Sequence, residues 1–349
     1  MAAAVFLMML LSAGLAVPAG LPAADRAPAS RLLDGQELLR IGDLHAIQNH
    51  IQEAMPYYQR ALASFRAAGH RQGEAAALGH IADLLERQGR SNEAVPLLRD
   101  ATAIQASLSD PLAQGRTLLN LGRVSEASDH GPEARLAYEQ AAMLFQQAHD
   151  RAGRGEARIH LGRLLIGQDR SDEGLALLQA ALADARERAD RGQQAQALSA
   201  IGDWHMAEGA GEAARPLFEE GLAMAEVQQD LNTEAGLRAR LARLYGEGGQ
   251  RGESMAMARR ALALYQTLKD RRKEADAWAL LGSLSLAAGQ VPLAAEQHER
   301  ALTLYRALRD RNKEAASLVN LALTYDAQGL RQDAAETQLK AILLLQSTR

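Results

Sequence analysis

The chain has 349 residues, with 39 lysines and arginines against 43 aspartates and glutamates, for a formal net charge of −4. This near balance argues against nucleic-acid binding through a basic surface, and the absence of cysteine excludes disulfides, thiolate nucleophiles and cysteine-ligated metal sites. Aromatic residues make up only 4% of the chain, which favours closely packed helices over a β-sandwich.

The first 24 residues carry no charged side chain. Within them Ala3 to Val17 form an apolar run of the length typical of a secretory signal, followed by prolines and small residues. We predict a cleavable signal over 1–24, a linker over 25–30, and an exported mature chain, either periplasmic or secreted. No lysine or arginine precedes the run, so an N-terminal membrane anchor or a cytoplasmic chain with a misassigned start are the alternatives. The anchor is disfavoured because the run is shorter than the roughly 20 residues of a membrane span.

After residue 30 the sequence repeats every 40 residues without a gap. An aspartate stands at six successive row ends, namely Asp110, Asp150, Asp190, Asp230, Asp270 and Asp310. The eight units, called rows one to eight below, are 31–70, 71–110, 111–150, 151–190, 191–230, 231–270, 271–310 and 311–349. This regularity predicts one continuous array in place of the two or three domains that the length alone suggests.

Each row carries the signals of two helices. The row-end aspartate is placed to cap the first helix, and Pro111 directly after Asp110 supports this, because proline suits the first helical position. A glycine that could adopt a left-handed conformation ends the first helix in most rows, at Gly89, Gly209, Gly249, Gly289 and Gly329.

Certain columns of the repeat keep one type of residue. In the first helix, leucine or isoleucine precedes glycine or alanine, as in Leu121-Gly122 and Leu281-Gly282, with a bulky residue such as Trp278 three positions earlier. In the second helix alanines recur seven positions apart, as at Ala294 and Ala301. This pattern resembles the tetratricopeptide repeat, in the 40-residue form of Pins/LGN-like scaffolds and bacterial tetratricopeptide-repeat proteins, although the usual closing proline is absent.

The resemblance implies an all-α, right-handed α-solenoid of eight helix-turn-helix units, whose first helices line a concave surface. Row four departs from the pattern at Arg158 and Gly174, and row six at Arg238, Ser254 and Ala258. We therefore expect these two rows to be the most weakly packed.

The resemblance also implies that ligands bind in the concave groove through particular columns of the first helices. Those columns supply Arg116, Asn120, Arg123, His160, Arg163, Arg240 and Arg243. Arginine and asparagine at these spacings are similar to the carboxylate-clamping grooves of chaperone-binding repeats, and arginine suits the carboxylates of an acidic peptide. The alternative is an ordinary solvated face of mixed charge.

The last predicted helix is rich in leucine and isoleucine, and Leu339, Ile342, Leu343 and Leu345 form a candidate association face. No catalytic constellation, metal motif or cofactor fingerprint is present in the sequence, so we predict a non-catalytic scaffold that binds a protein or peptide. A sensor module that responds to a small ligand or signal peptide, and an assembly subunit that self-associates through the last helix, are the alternatives.

Overall fold

The computed structural model describes residues 34–346, so the predicted signal and linker lie outside the described residues. This part of the chain forms sixteen α-helices and no strand. The helices are α1 (Gly35–Ile47), α2 (Ile51–Ala67), α3 (Arg71–Arg87), α4 (Ser91–Ser107), α5 (Pro111–Ala127), α6 (Gly131–Gln147), α7 (Arg151–Ile166), α8 (Ser171–Glu187), α9 (Arg191–Ala207), α10 (Gly211–Gln228), α11 (Leu231–Glu247), α12 (Arg251–Thr267), α13 (Arg271–Ala287), α14 (Val291–Ala307), α15 (Arg311–Ala327) and α16 (Arg331–Gln346).

Each helix packs mainly on its neighbours in sequence, as expected of a solenoid in which a helix pair cannot bury its apolar face alone. The odd-numbered helices are the first helices of the rows, and first helices of successive rows also approach one another. This closeness places them on the concave side. The predicted all-α solenoid is confirmed.

The predicted helix boundaries follow from local capping. All six row-end aspartates accept a hydrogen bond at Oδ1 from the backbone N–H three residues ahead, at N···O distances of 2.9–3.1 Å. One cap was not predicted from the sequence: Nδ1 of His70 accepts a hydrogen bond from the N–H of Gly73 at 2.9 Å. The five predicted C-terminal glycines have φ between 72° and 80°, which satisfies a left-handed cap.

Small residues in the first helix make room for rings in the second. In rows one, three, five and seven a ring lies against the glycine sixteen residues before it; the pairs are Gly42 with Tyr58, Gly122 with Tyr138, Gly202 with Phe218, and Gly282 with His298. All four rings are at most 2% exposed. A Cβ on any of these glycines would overlap its ring, so the glycine column is required by close packing.

Row four is not loosely packed, contrary to our expectation. A Cβ built on Gly174 would lie 2.5 Å from the carbonyl oxygen of Gly162, so the backbones of α7 and α8 approach closely where other rows have an alanine. Glycine at this position therefore permits a tighter contact between the two helices.

Row six compensates for its unusual residues with polar contacts. Arg238 donates from Nε to Glu234 at 2.9 Å and from Nη2 to Glu226 at 2.5 Å. The hydroxyl of Ser254 donates to the carbonyl oxygen of Ala242 at 2.6 Å, and Ala258 is fully buried. The departures from the repeat pattern in row six are thus matched by specific partners, and the expectation that this row packs weakly stays a prediction.

Candidate functional site

Three of the predicted groove residues converge at the junction of rows three and four. Arg123 projects from α5, and His160 and Arg163 project from α7, where three-residue spacing puts side chains on one helix face. The His160 ring stacks on Tyr138 of α6, with ring centroids 5.3 Å apart and an interplanar angle of 18°. The Tyr138 hydroxyl donates to Glu126 at 3.0 Å, which fixes the ring.

The electrostatics of this cluster keep the histidine neutral. Burial, followed by the charges of Arg163 and Arg123, lowers the pKa of His160 to about 4. Burial and the neighbouring Glu126 raise the pKa of Tyr138. At neutral pH the cluster therefore presents two guanidinium cations beside an uncharged, stacked imidazole.

Carboxylates limit the positive charge of the cluster. Nη2 of Arg123 donates to Glu86 at 2.8 Å, and burial raises the pKa of Glu86 while Arg123 lowers it. Burial likewise raises the pKa of Glu156, again opposed by Arg123. Arg163 is exposed and makes no hydrogen bond with residues 34–346, so it keeps its donors available to a ligand.

The other four predicted groove residues lie outside this cluster, and they differ in exposure and in what they contact. Arg116 and Asn120 are exposed on α5. Arg240 is already occupied, because it holds both carboxylate oxygens of Asp203 at 2.6 and 2.8 Å. Arg243 is exposed and lines a separate hollow of about 320 Å³ with Lys313.

Ion pairs that were not predicted from the sequence link the first helices of successive rows. Glu86 with Arg123, Asp203 with Arg240, and Asp276 with Lys313 are each separated by 37 residues. A residue 37 positions on lies one row further along and almost one helical turn back. Opposite charges at this spacing are the signal that could have found these pairs.

An acidic counterpart of the cluster lies 80 residues earlier. Tyr58 stacks on His80 with centroids 5.0 Å apart and donates from its hydroxyl to Asp43 at 2.8 Å. Asp43 takes the column that Arg123 occupies, so the groove changes sign between rows one and three.

Distant rows face each other across a cavity of about 720 Å³. Glu86, Arg87 and Arg123 line one side, and residues 268–272 line the other. Nη2 of Arg272 lies 3.6 Å from the point that a Cβ on Gly89 would occupy. Rows two and seven are therefore close in space, which a repeat pattern alone does not reveal.

The four candidate association residues at the last helix are exposed to between 44% and 55%. Ile342 occupies the same column of the repeat as Leu302 in row seven. Leu302 is only 6% exposed, because it packs against α15 of the next row. Leu339 and Leu343 take columns that are exposed in row seven as well, at Glu299 and Thr303. Self-association through this face stays a prediction.

Residues 34–346 contain no group of three or more histidine, aspartate and glutamate side chains arranged to hold a metal ion. Within the same residues, no helix is long and apolar enough to cross a membrane.

Comparison with known proteins gives a family and a set of similar folds. Residues 37–107 match the tetratricopeptide-repeat family model. No curated protein is significantly similar in sequence. The matched rows and the six that follow share one helix-pair architecture, so residues 35–346 form an array of helix pairs of the tetratricopeptide-repeat type.

Three solved structures share the fold at low sequence identity. A Rap protein complexed with competence and sporulation factor has a TM-score of 0.65 at 13% identity, over 90% of this chain and 86% of that one. Aspartyl phosphate phosphatase F from Bacillus subtilis has a TM-score of 0.62 at 12% identity, over 94% and 97%. The Rap conjugation gene regulator of plasmid pLS20, in complex with the Phr* peptide, has a TM-score of 0.60 at 15% identity, over 83% and 80%.

Proposed function

We propose that the chain is a scaffold that binds a peptide segment of a protein partner in its concave groove, and that a carboxylate of that peptide lies between Arg123 and Arg163. The observation that carries this is the convergence of these two cations on the stacked His160. A bidentate arginine contact suits a carboxylate, and Arg163 has its donors available. Two of the structures with a similar fold are a complex with competence and sporulation factor and a complex with the Phr* peptide.

The test uses a display library of short peptides selected on the purified chain. The Arg123→Glu/Arg163→Glu variant reverses both groove charges, and Arg60→Glu/Arg259→Glu reverses two exposed charges on the second helices α2 and α12 as a matched control. We expect acidic peptides to be enriched by the wild type and by the control, and to lose at least tenfold in affinity for the groove variant. If all three proteins enrich the same peptides with the same affinity, the groove is not the binding site.

His160 gives a second readout at the site itself. A bound carboxylate next to the ring favours its charged form, so the pKa of His160, about 4 in the free protein, should rise when an acidic peptide binds. An NMR titration of the His160 ring measures this change, and an unchanged pKa in the presence of saturating peptide contradicts the placement.

A sensor role is the second candidate, and the approach of rows two and seven favours it. A ligand that bridges the two sides of the cavity near Gly89 and Arg272 would hold the solenoid in one curvature, and one that separates them would open it. Small-angle scattering with and without the selected peptide tests this. A radius of gyration that does not change on binding leaves only the scaffold role.

The proposed site of action is outside the cytoplasm, on the basis of the sequence of residues 1–24. Fusion of residues 1–30 to a reporter that is active only after export tests this placement, with cleavage followed by N-terminal sequencing.

A further inference from the structure

A surface hollow of about 700 Å³ lies between the end of α6 and the start of α7, away from the groove cluster. Phe145, Gln146, His149, Arg151 and Arg154 are among its lining residues. The carboxylate of Asp150 also lines it, and its Oδ1 is engaged by the N–H of Gly153.

Arg154 stands in a column that holds acidic residues elsewhere. The column contains Glu74, Glu234, Glu274 and Glu314, and the first three are between 5% and 7% exposed. Each of these four carboxylates bonds to an arginine, for example Glu74 to Arg66 at 2.9 Å. Row four therefore inverts the charge at a position that is buried in four of the eight rows.

The reversed charge has no complete partner within residues 34–346. Nε of Arg154 is buried and makes no hydrogen bond, and its only ion-pair contact is a long one of 3.4 Å from Nη2 to Asp184. Asp184 is already held by Arg151 at 2.7 Å and Arg188 at 3.0 Å. The guanidinium of Arg154 is therefore only partly satisfied, and because this side chain lines the hollow, an oxyanion that enters from solution is its physical complement.

A second cation lies one helical turn further on. Arg158 forms no hydrogen bond in the described part of the chain, and burial together with the charge of Arg154 lowers its pKa. The arginines that line the hollow itself are Arg154 and Arg151, and Arg151 also donates to Asp184 and Glu187. Neighbouring arginines bind oxyanions because guanidinium groups donate to two oxygens at once.

We propose that the hollow between α6 and α7 binds a small oxyanion, a phosphate or a carboxylate group, through Arg154, with Arg151 beside it in the lining and Arg158 one helical turn further along α7. This site is separate from the peptide groove, so the two proposals stand or fall independently.

The proposal is tested by isothermal titration calorimetry of the full chain with inorganic phosphate and, in a second arm, with acetate, at constant ionic strength. Arg154→Gln removes the cation but keeps the fold, because row five has Gln194 in this column, buried and bonded to the carbonyl oxygen of Ala185 at 3.1 Å. Arg259→Gln removes an exposed charge of α12 as the matched control. We expect a single site per chain whose affinity falls at least tenfold in Arg154→Gln and is unchanged in Arg259→Gln.

The two arms identify the source of the oxyanion: tighter phosphate binding indicates a phosphoryl group, and tighter acetate binding indicates a carboxylate. Arg154→Glu is a second variant. Row six provides its structural precedent, because Glu234 and Arg238 occupy the columns of Arg154 and Arg158 and form an ion pair with Oε1 and Nε 2.9 Å apart. A glutamate at 154 can therefore pair with Arg158. This variant should fold and bind neither anion. Absence of binding to the wild type, or binding that survives in Arg154→Gln, overturns the proposal; loss in Arg123→Glu/Arg163→Glu would then place the anion in the groove.

Discussion

Rows three and seven place a ring against a glycine in the same way, yet their rings differ in how the polar atoms are satisfied. Tyr138 is buried over Gly122, but its hydroxyl reaches the groove edge and donates to Glu126. His298 is buried over Gly282, and neither of its ring nitrogens has a hydrogen-bond partner among the described residues. The column thus selects for shape, and the length of the side chain decides whether the polar end leaves the core.

The largest expected effect is the loss of stability in acid at His298. Burial lowers its pKa to about 4 from an ordinary 6.5, so between these values the unfolded chain binds more protons than the folded one, and stability falls as the pH falls from about 6.5 to 4. A shift of this size corresponds to about 3 kcal/mol in the free energy of unfolding when the pH reaches the lower value. Urea unfolding at pH 7 and pH 4.5 measures it.

His298→Phe should remove this share of the acid sensitivity and be at least as stable at pH 7, because Phe218 shows that the column accepts a phenyl ring. The exposed His130→Gln variant serves as the control. The lowered pKa of His160 adds to acid sensitivity in the same direction, so the measurement is the difference between variants. If the acid loss is the same in both, the unpartnered imidazole is not its cause.

The next effect concerns the glycine itself. A Cβ on Gly122 would overlap the Tyr138 ring, so Gly122→Ala should destabilise the fold by about 1–2 kcal/mol after the helix-propensity gain of alanine is counted. Gly79→Ala is the matched control, since a Cβ there meets nothing within 4 Å. We expect this control to be neutral or to gain up to about 1 kcal/mol. Urea denaturation compares the two, and equal stabilisation of both would show that the ring moves aside freely.

The smallest effect is the loss of the tyrosine hydroxyl. Tyr138→Phe keeps the buried ring and removes only the hydrogen bond of 3.0 Å to Glu126, so we expect a cost of about 1 kcal/mol or less in the same assay. Since Glu126 is exposed and water can replace the hydroxyl, a loss above about 3 kcal/mol would mean that the ring had moved.

The helix ends were predictable because each depends on residues close in sequence. Asp110 caps an N–H only three residues away, and Gly89 adopts its left-handed φ within its own turn. The packing in row four was not predictable, because Gly174 reads as a missing side chain until its contact with Gly162 is known.

The candidate site was only partly predictable. The columns placed Arg123, His160 and Arg163 on one concave stretch, and the structure brings all three to Tyr138. They did not show that Arg240 is held by Asp203, because that pairing depends on how successive rows tilt and on the directions of long side chains.

The sequence by itself determined the helix pairs, their caps and the 40-residue repeat, since these follow from short-range hydrogen bonds and from the spacing of apolar residues. Only the tertiary structure decided which charges remain available. Arg123, Arg154, Arg163 and Arg240 are all arginines of first helices, but their partners differ. A carboxylate of the preceding row holds Arg240 firmly and Arg123 in part, Asp184 of the same row holds Arg154 weakly, and Arg163 makes no hydrogen bond within residues 34–346. The physical reason is that an ion pair depends on distance and burial in space, which the stacking of rows sets.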